Sequence, residues 1–302
     1  MPGLPQLALV MVLTALFSPT AMGAAIEEID VKYNIVYSPK RPANCSLDLA
    51  IPRSATGLRP AIVVIHGGGW IEGDKSSFAS AEHGVPGNIV DFARAGFVAA
   101  TINYRLAGAA PYPAALDDCR EAVRFLRQQA DEYQIDPTRI GAYGNSAGGH
   151  LALLLAVAED PPIESGQQAK PNISCRVQCA ASDSGPLDLA RQFRQDQLRT
   201  VIMKFLGGPP ESDRRRLYDE ASPTTYISRS LPPLMLIYGE TDEQVDVRTA
   251  DDFVASLSRA GHKDVTYLRL AGVGHCPHSL VRVPFTDAAV RSFFVRSLRA
   301  DD

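Results

Sequence analysis

Apolar and polar positions follow two patterns along the chain. From Ile29 to Tyr37 and from Ser46 to Ile51 they alternate loosely, which predicts antiparallel edge strands with one face in solvent. Ala61–Ile65 (AIVVI) and Phe97–Ile102 (FVAATI) are nearly unbroken apolar runs beside glycines, as in strands buried on both faces of a parallel sheet. Ile140–Tyr143, Val177–Ala181, Leu234–Tyr238 and Val265–Leu270 predict four more strands, the first entered through a turn at Asp136-Pro137. Helices fall between them. Gly87–Ala95 is helical and stops at Gly96. In Ala114–Glu132, the residues Ala115, Cys119, Val123, Leu126 and Ala130 recur at steps of four, four, three and four, which is one face of a helix. A very apolar helix spans about Ser146–Val157, and a last one about Thr286–Arg299. About eight strands alternating with helices imply right-handed crossovers and a mostly parallel sheet, an α/β fold. Leu187–Ser230 is polar and Arg-rich, holds Gly207-Gly208-Pro209-Pro210 and carries no convincing strand. It reads as a small helical insertion over one end of the sheet, within a single domain from residue 24 to 302.

Composition narrows the classes. The 302 residues are 45% hydrophobic and 21% charged, which excludes a disordered chain. The net charge of −4 and the lack of a basic stripe exclude a nucleic-acid binder. Arg214-Arg215-Arg216 lies among Asp213, Asp219 and Glu220 and reads as a solvated helix face. Leu7–Phe17 is an eleven-residue apolar run, short of the roughly 20 residues a membrane helix needs. Ala21-Met22-Gly23 follows it. The segment is expected to be a signal peptide cleaved after Gly23, although no Lys or Arg precedes the run, so the chain would be exported without a membrane span. The five cysteines Cys45, Cys119, Cys175, Cys179 and Cys276 form no CxxC and are not a disulfide scaffold. Cys119, on an apolar helix face, is expected to be a buried free thiol.

Candidate chemistry sits at strand ends. Gly144-Asn145-Ser146-Ala147-Gly148 matches G-x-S-x-G between a strand and an apolar helix, the context in which that motif exposes a nucleophilic serine. His66-Gly67-Gly68-Gly69-Trp70 follows the first core strand. Its glycines leave backbone N–H groups free to converge on an oxyanion, from Gly68 or Gly69 together with Ala147. Trp70 is assigned to the substrate side of that loop. A phosphate-binding loop would need a Lys-Ser/Thr pair at the helix start, and Gly73-Asp74-Lys75-Ser76 lies too far along. Of six histidines, His275 follows the last strand on the flexible Ala271-Gly272-Val273-Gly274 loop and is the candidate base. His66 is expected to brace its loop, His150 to point into the sheet or the helix flank, and His83 and His262 to lie at the surface. His275, Cys276 and His278 as a metal set lack a nearby carboxylate. For the carboxylate that orients the base, Asp242 stands a tight turn beyond its strand, with Val245 as an apolar anchor. Glu240 and Asp183 are the rivals.

These residues resemble the α/β-hydrolase superfamily, in which the triad follows the chain order Ser, Asp, His. More narrowly, they resemble the HGGGW carboxylesterases, the hormone-sensitive-lipase-like esterases and bacterial feruloyl-esterase-like proteins. Asn103-Tyr104-Arg105-Leu106, Tyr112-Pro113-Ala114, Asp117-Asp118, Arg139-Ile140 and Ala221-Ser222-Pro223 carry the likeness along residues 28 to 299. The resemblance implies Ser146, Asp242 and His275 as triad, Gly68, Gly69 and Ala147 as oxyanion hole, and no cofactor. The short segment before the first strand implies an open cleft and, with it, acetyl or feruloyl esters of plant polysaccharide as substrate. The alternatives are an arylformamidase-like amidase or peptidase, and a non-catalytic binding protein on a hydrolase scaffold.

Overall fold

Each core strand of this chain feeds side chains to two hydrophobic layers at once. In the computed structural model, which describes residues 28–41, 43–53, 57–80, 85–160, 173–195, 197–211 and 214–299, Ala61, Val63 and Ile65 join one buried cluster and Ile62 and Val64 the other. That two-sided burial is why the run reads AIVVI and does not alternate. Each such Val or Ile contributes roughly 1.5–3 kcal/mol by leaving water.

Eight strands form one sheet: β1 (Ile29–Val36), β2 (Ser46–Pro52), β3 (Arg59–Ile65), β4 (Val98–Ile102), β5 (Ile135–Asn145), β6 (Cys179–Asp183), β7 (Leu234–Gly239) and β8 (Val265–Leu270). Their order is β1-β2-β4-β3-β5-β6-β7-β8. β1 with β2 and β2 with β4 pair antiparallel, and every other pair is parallel. The α/β-hydrolase fold read from the sequence is the fold observed.

Two strand assignments shift. β5 begins at Ile135, not Ile140, because Ile135 pairs with Arg59 while Ile140 pairs with Ala61. Asp136-Pro137 therefore bulges out of a continuous strand. β6 runs two residues later than Val177–Ala181, which makes Asp183 its final residue. The helices are α1 (Ile89–Arg94), α2 (Ala114–Gln128), α3 (Ala130–Tyr133), α4 (Ala147–Val157), α5 (Leu189–Phe193), α6 (Arg199–Leu206), α7 (Arg215–Glu220), α8 (Val247–Arg259) and α9 (Pro284–Ser297). Asn88 caps α1 by accepting from Asp91 N at 2.9 Å. The long helix expected over Ala114–Glu132 breaks at Gln129 into α2 and α3. α8 is an addition to the sequence reading, although Val247, Ala250, Phe253 and Leu257 bury one face of it.

α5, α6, α7 and a 3-10 turn at Pro223–Tyr226 form the insertion over 187–230, with no strand among its described residues. On α7, Arg215 and Arg216 reach Asp219 and Glu220 four residues on, a solvated face. Arg214 instead donates to Leu206 O at 3.2 Å. All five cysteines are buried and unbridged. The expected signal segment 1–23 and His83 lie outside the described residues.

Candidate active site

β5 ends at Asn145, α4 begins at Ala147, and Ser146 alone makes the corner. Its φ is 51° and its ψ −122°, a backbone conformation disfavoured for any residue with a Cβ. The corner is narrow enough to require its flanking glycines. A Cβ at Gly148 would stand 2.0 Å from Ile65 O, and one at Gly144 would stand 2.4 Å from the Gly148 backbone. Ser146 N donates to Asp183 O at 2.7 Å, which ties the corner to the end of β6. The first-turn N–H groups of α4, Ala147 among them, have no partner within their own helix.

The HGGGW loop runs beside this corner. A Cβ at Gly67 would lie 3.0 Å from Asn145 O and 3.3 Å from Ser146 Cβ. Gly68, Gly69 and Trp70 take φ values of 103°, 57° and 60° in succession. His66 is buried, with Nδ1 2.8 Å from Gly67 O and its ring stacked on Tyr104 at 4.4 Å. Burial lowers its pKa. Tyr104 OH donates to His66 O at 3.0 Å. The next residue, Arg105, forks onto the fully buried Asp118 of α2 at 2.7 and 2.8 Å. The Asn103-Tyr104-Arg105-Leu106 and Asp117-Asp118 segments thus brace the loop and the connection from β4 to α2.

Trp70 calls for a correction. It is 1% exposed, stacked on Phe205 of α6 at 4.4 Å and set edge-on to His150. Its ring lies in the core beneath the insertion and presents no surface to a substrate. Val201 of α6 stands 3.5 Å from the Cβ position of Gly69. The insertion therefore lies directly on the glycine loop.

Asp242 and His275 meet across the ends of β7 and β8. His275 Nδ1 is 2.7 Å from Asp242 Oδ2, and the two side chains are 11% and 0% exposed. Asp242 Oδ1 accepts from Gln244 N at 2.8 Å and Val245 N at 2.9 Å. Val245 is fully buried. With two backbone donors and the imidazole, the carboxylate orients the ring and leaves Nε2 as the other nitrogen. That Nε2 is buried and has no hydrogen-bond partner among the described residues. The loop that carries His275 is tied to the Ser146 corner through the end of β6: Cys276, next to His275, donates its N–H to Ser184 Oγ at 3.1 Å, and its Sγ lies 3.5 Å from the Asp183 carbonyl that accepts from Ser146.

The rival carboxylates are engaged elsewhere. Glu240 is exposed and pairs with Arg269 at 2.7 Å. Asp183 accepts from His278 N, Ser279 N and Ser279 Oγ at 3.2, 2.8 and 2.7 Å. Burial raises its pKa to about 6. His150 is buried against Ala221 O, and His278 against Thr286 Oγ1, with both pKa values driven down to about 4 by burial. His262, expected at the surface, is 6% exposed in the turn after α8, where its N–H returns to Leu257 O. Sequence reasoning missed the contribution of Ser184 and Ser279, because no local pattern marks two serines whose partners, Cys276 and Asp183, lie 92 and 96 residues away.

Comparisons with known proteins place the chain among esterases by likeness. Over 79% of its length the chain is 31% identical to a probable carboxylic ester hydrolase, LipM, of Mycobacterium tuberculosis, and it covers 54% of that protein. The chain spans about half the length of the curated relatives it matches. Among solved structures, a bifunctional GH43-CE protein of Bacteroides eggerthii superimposes with a TM-score of 0.75 at 26% identity, covering 89% of this chain and 38% of that one. A thermophilic esterase of Thermogutta terrifontis, in a propionate-bound form, superimposes with a TM-score of 0.69 at 25% identity, covering 92% of this chain and 97% of that one. The sequence model of the BD-FAE family matches residues 47–257, well over half of the chain. By that match the chain belongs to the BD-FAE family of the α/β-hydrolase superfamily.

Proposed function

We propose that this chain is an exported serine carboxylesterase. Ser146 Oγ attacks the ester carbonyl while His275 Nε2 takes its proton and returns it to the leaving alcohol. Asp242 fixes the tautomer with the proton on Nδ1 and stabilises the imidazolium. N–H groups of Gly68 or Gly69 and of Ala147 bind the oxyanion, each contributing about 3–4 kcal/mol in the transition state. Water, activated by the same imidazole, then frees the acyl group. The observation that carries the reading is the Asp242–His275 contact at 2.7 Å, with a buried Nε2 that has no partner among the described residues, on the loop tied to the Ser146 corner.

The substrates are small or polysaccharide-linked esters, with acetyl or feruloyl groups on plant polysaccharide as the preferred class. The propionate-bound esterase among the structural neighbours supports an ester with a short acyl group. Export rests on the apolar run Leu7–Phe17 followed by Ala21-Met22-Gly23. Among the described residues no helix is long and apolar enough to cross a membrane.

Turnover of acetyl-xylan, methyl ferulate, short-chain nitrophenyl esters and N-formylkynurenine tests the reading. Hydrolysis of acetyl-xylan or methyl ferulate is expected. Activity confined to nitrophenyl esters would remove the carbohydrate assignment, and preference for the formamide would make the chain an amidase. Labelling by a fluorophosphonate, lost in Ser146→Ala, separates an enzyme from a binding protein.

A further inference from the structure

Asp183 is a second strand-end carboxylate that never touches the imidazole, yet it grips both sides of the site. Its backbone carbonyl accepts the Ser146 N–H at 2.7 Å. Its side chain, 0% exposed, accepts from His278 N, Ser279 N and Ser279 Oγ, all on the turn that continues directly from His275. Ser184 adds a hydroxyl to Cys276 N at 3.1 Å. One dipeptide at the end of β6 therefore fixes the nucleophile's corner and the base's loop to each other.

The charge of Asp183 is expensive where it sits. No cation is in ion-pair contact with its carboxylate among the described residues, and burial lifts its pKa to about 6 in spite of three donors. The titratable groups that face it are Tyr143 on β5, Tyr238 on β7, and His275, Cys276 and His278 on the loop. Asp287 and Arg291 of α9 act on Tyr143 and His278 behind them. An apolar or amide side chain would fill the same space without that desolvation cost, but it could not accept three hydrogen bonds on two oxygens.

We infer that Asp183 is a positioning residue: its carboxylate clamps the His278–Ser279 turn and so holds His275 in register with Ser146. The inference rests on the esterase reading above. A proton on Asp183 turns one acceptor site into a donor, leaves one of the three loop donors unmatched and lets the turn relax. Acidification through about pH 6 therefore removes activity by protonating Asp183 and loosening the turn.

The test uses the full chain and its Asp183→Asn and Ser279→Ala variants, with kcat and KM on a nitrophenyl acetate across about pH 5–9, fluorophosphonate labelling rates and thermal melts. Asp183→Asn is expected to melt as a folded protein, with kcat lower by about tenfold or more, KM within about twofold, slower labelling and an acid limb that has lost the Asp183 proton and is less steep than that of the wild type. A folded Asp183→Asn with kcat within about twofold of wild type and the same pH profile overturns the inference. Should that variant fail to fold, Ser279→Ala decides. Losing this donor raises the pKa of Asp183, so the acid limb moves to higher pH and kcat falls several-fold. An unmoved limb overturns the inference. A wild-type chain that neither labels at Ser146 nor hydrolyses any ester overturns the esterase reading and this inference with it.

Discussion

Asp183 and Asp242 are two carboxylates at the ends of neighbouring strands, each with a fully buried side chain and each accepting three hydrogen bonds. In both, two of the donors are backbone amides. The third is the His275 imidazole for Asp242 and the Ser279 hydroxyl for Asp183. The difference comes from the chain around them. Asp183 is the last residue of β6 and points beneath the turn that follows His275. Asp242 stands beyond β7 on a tight turn, Asp242 N to Gly239 O at 3.4 Å, that lifts it to the level of the ring. A strand-end carboxylate is thus assigned to the chemistry or to its support by the loop that lies over it, not by its own surroundings in sequence.

Substitutions break this contrast most sharply at the proposed nucleophile and acid. Ser146→Ala should abolish turnover and fluorophosphonate labelling, a loss of about six orders of magnitude if it behaves like the nucleophile of a serine protease. Asp242→Asn should lower kcat by about four orders of magnitude while the melt stays cooperative, because the amide favours the wrong imidazole tautomer. If Asp183→Asn costs more than Asp242→Asn in the same assay, the two roles are reversed.

A third carboxylate sharpens the comparison from the side of stability. Asp118 is fully buried but has Arg105 as a forked partner. Asp118→Ala should lower the unfolding free energy by about 3–5 kcal/mol in denaturant titration, since it strands a partly buried guanidinium. Among the described residues no Lys or Arg pairs with Asp183, and its contribution runs the other way. Its pKa is about 6 when folded and about 3.9 when unfolded. The folded state therefore holds the extra proton, and up to about 3 kcal/mol of stability is lost as pH rises from about 4 to 6. His150 and His278, with folded values of about 4 against about 6.5 unfolded, act oppositely, and stability is lost as pH falls through that window. The trends partly cancel in the wild type. Asp183→Asn should unmask the histidines, so its melting temperature drops more steeply than that of the wild type between about pH 6.5 and 4. The smallest effect belongs to Trp70. Trp70→Phe keeps the stack on Phe205 and should cost a few kcal/mol in stability, with acyl preference in the ester panel unchanged. A changed preference would return the ring to the substrate side.

The parts of the site that were legible in the sequence are those whose cause is local. Gly144 and Gly148 flank Ser146 because the corner admits no Cβ, and the requirement is written within five residues. The AIVVI run reports two-sided burial by itself. Trp70, His262 and α8 were less legible. A tryptophan beside a glycine loop reads as a ligand contact until Phe205, 135 residues later, is seen to cover it. His262 reads as surface because its polar neighbours do not record the turn that buries it.

The sequence by itself determined the succession of strands, the parallel sheet, the serine corner and the glycine loop, because periodicity, turn chemistry and close backbone approach act between near neighbours. Tertiary structure alone decided which carboxylate meets His275, that Asp183 holds the loop from beneath, and that Trp70 faces the core. Those outcomes depend on residues separated by 33 to 135 positions that meet only after the sheet has formed, and no local pattern encodes a partner brought close by the packing of the whole chain.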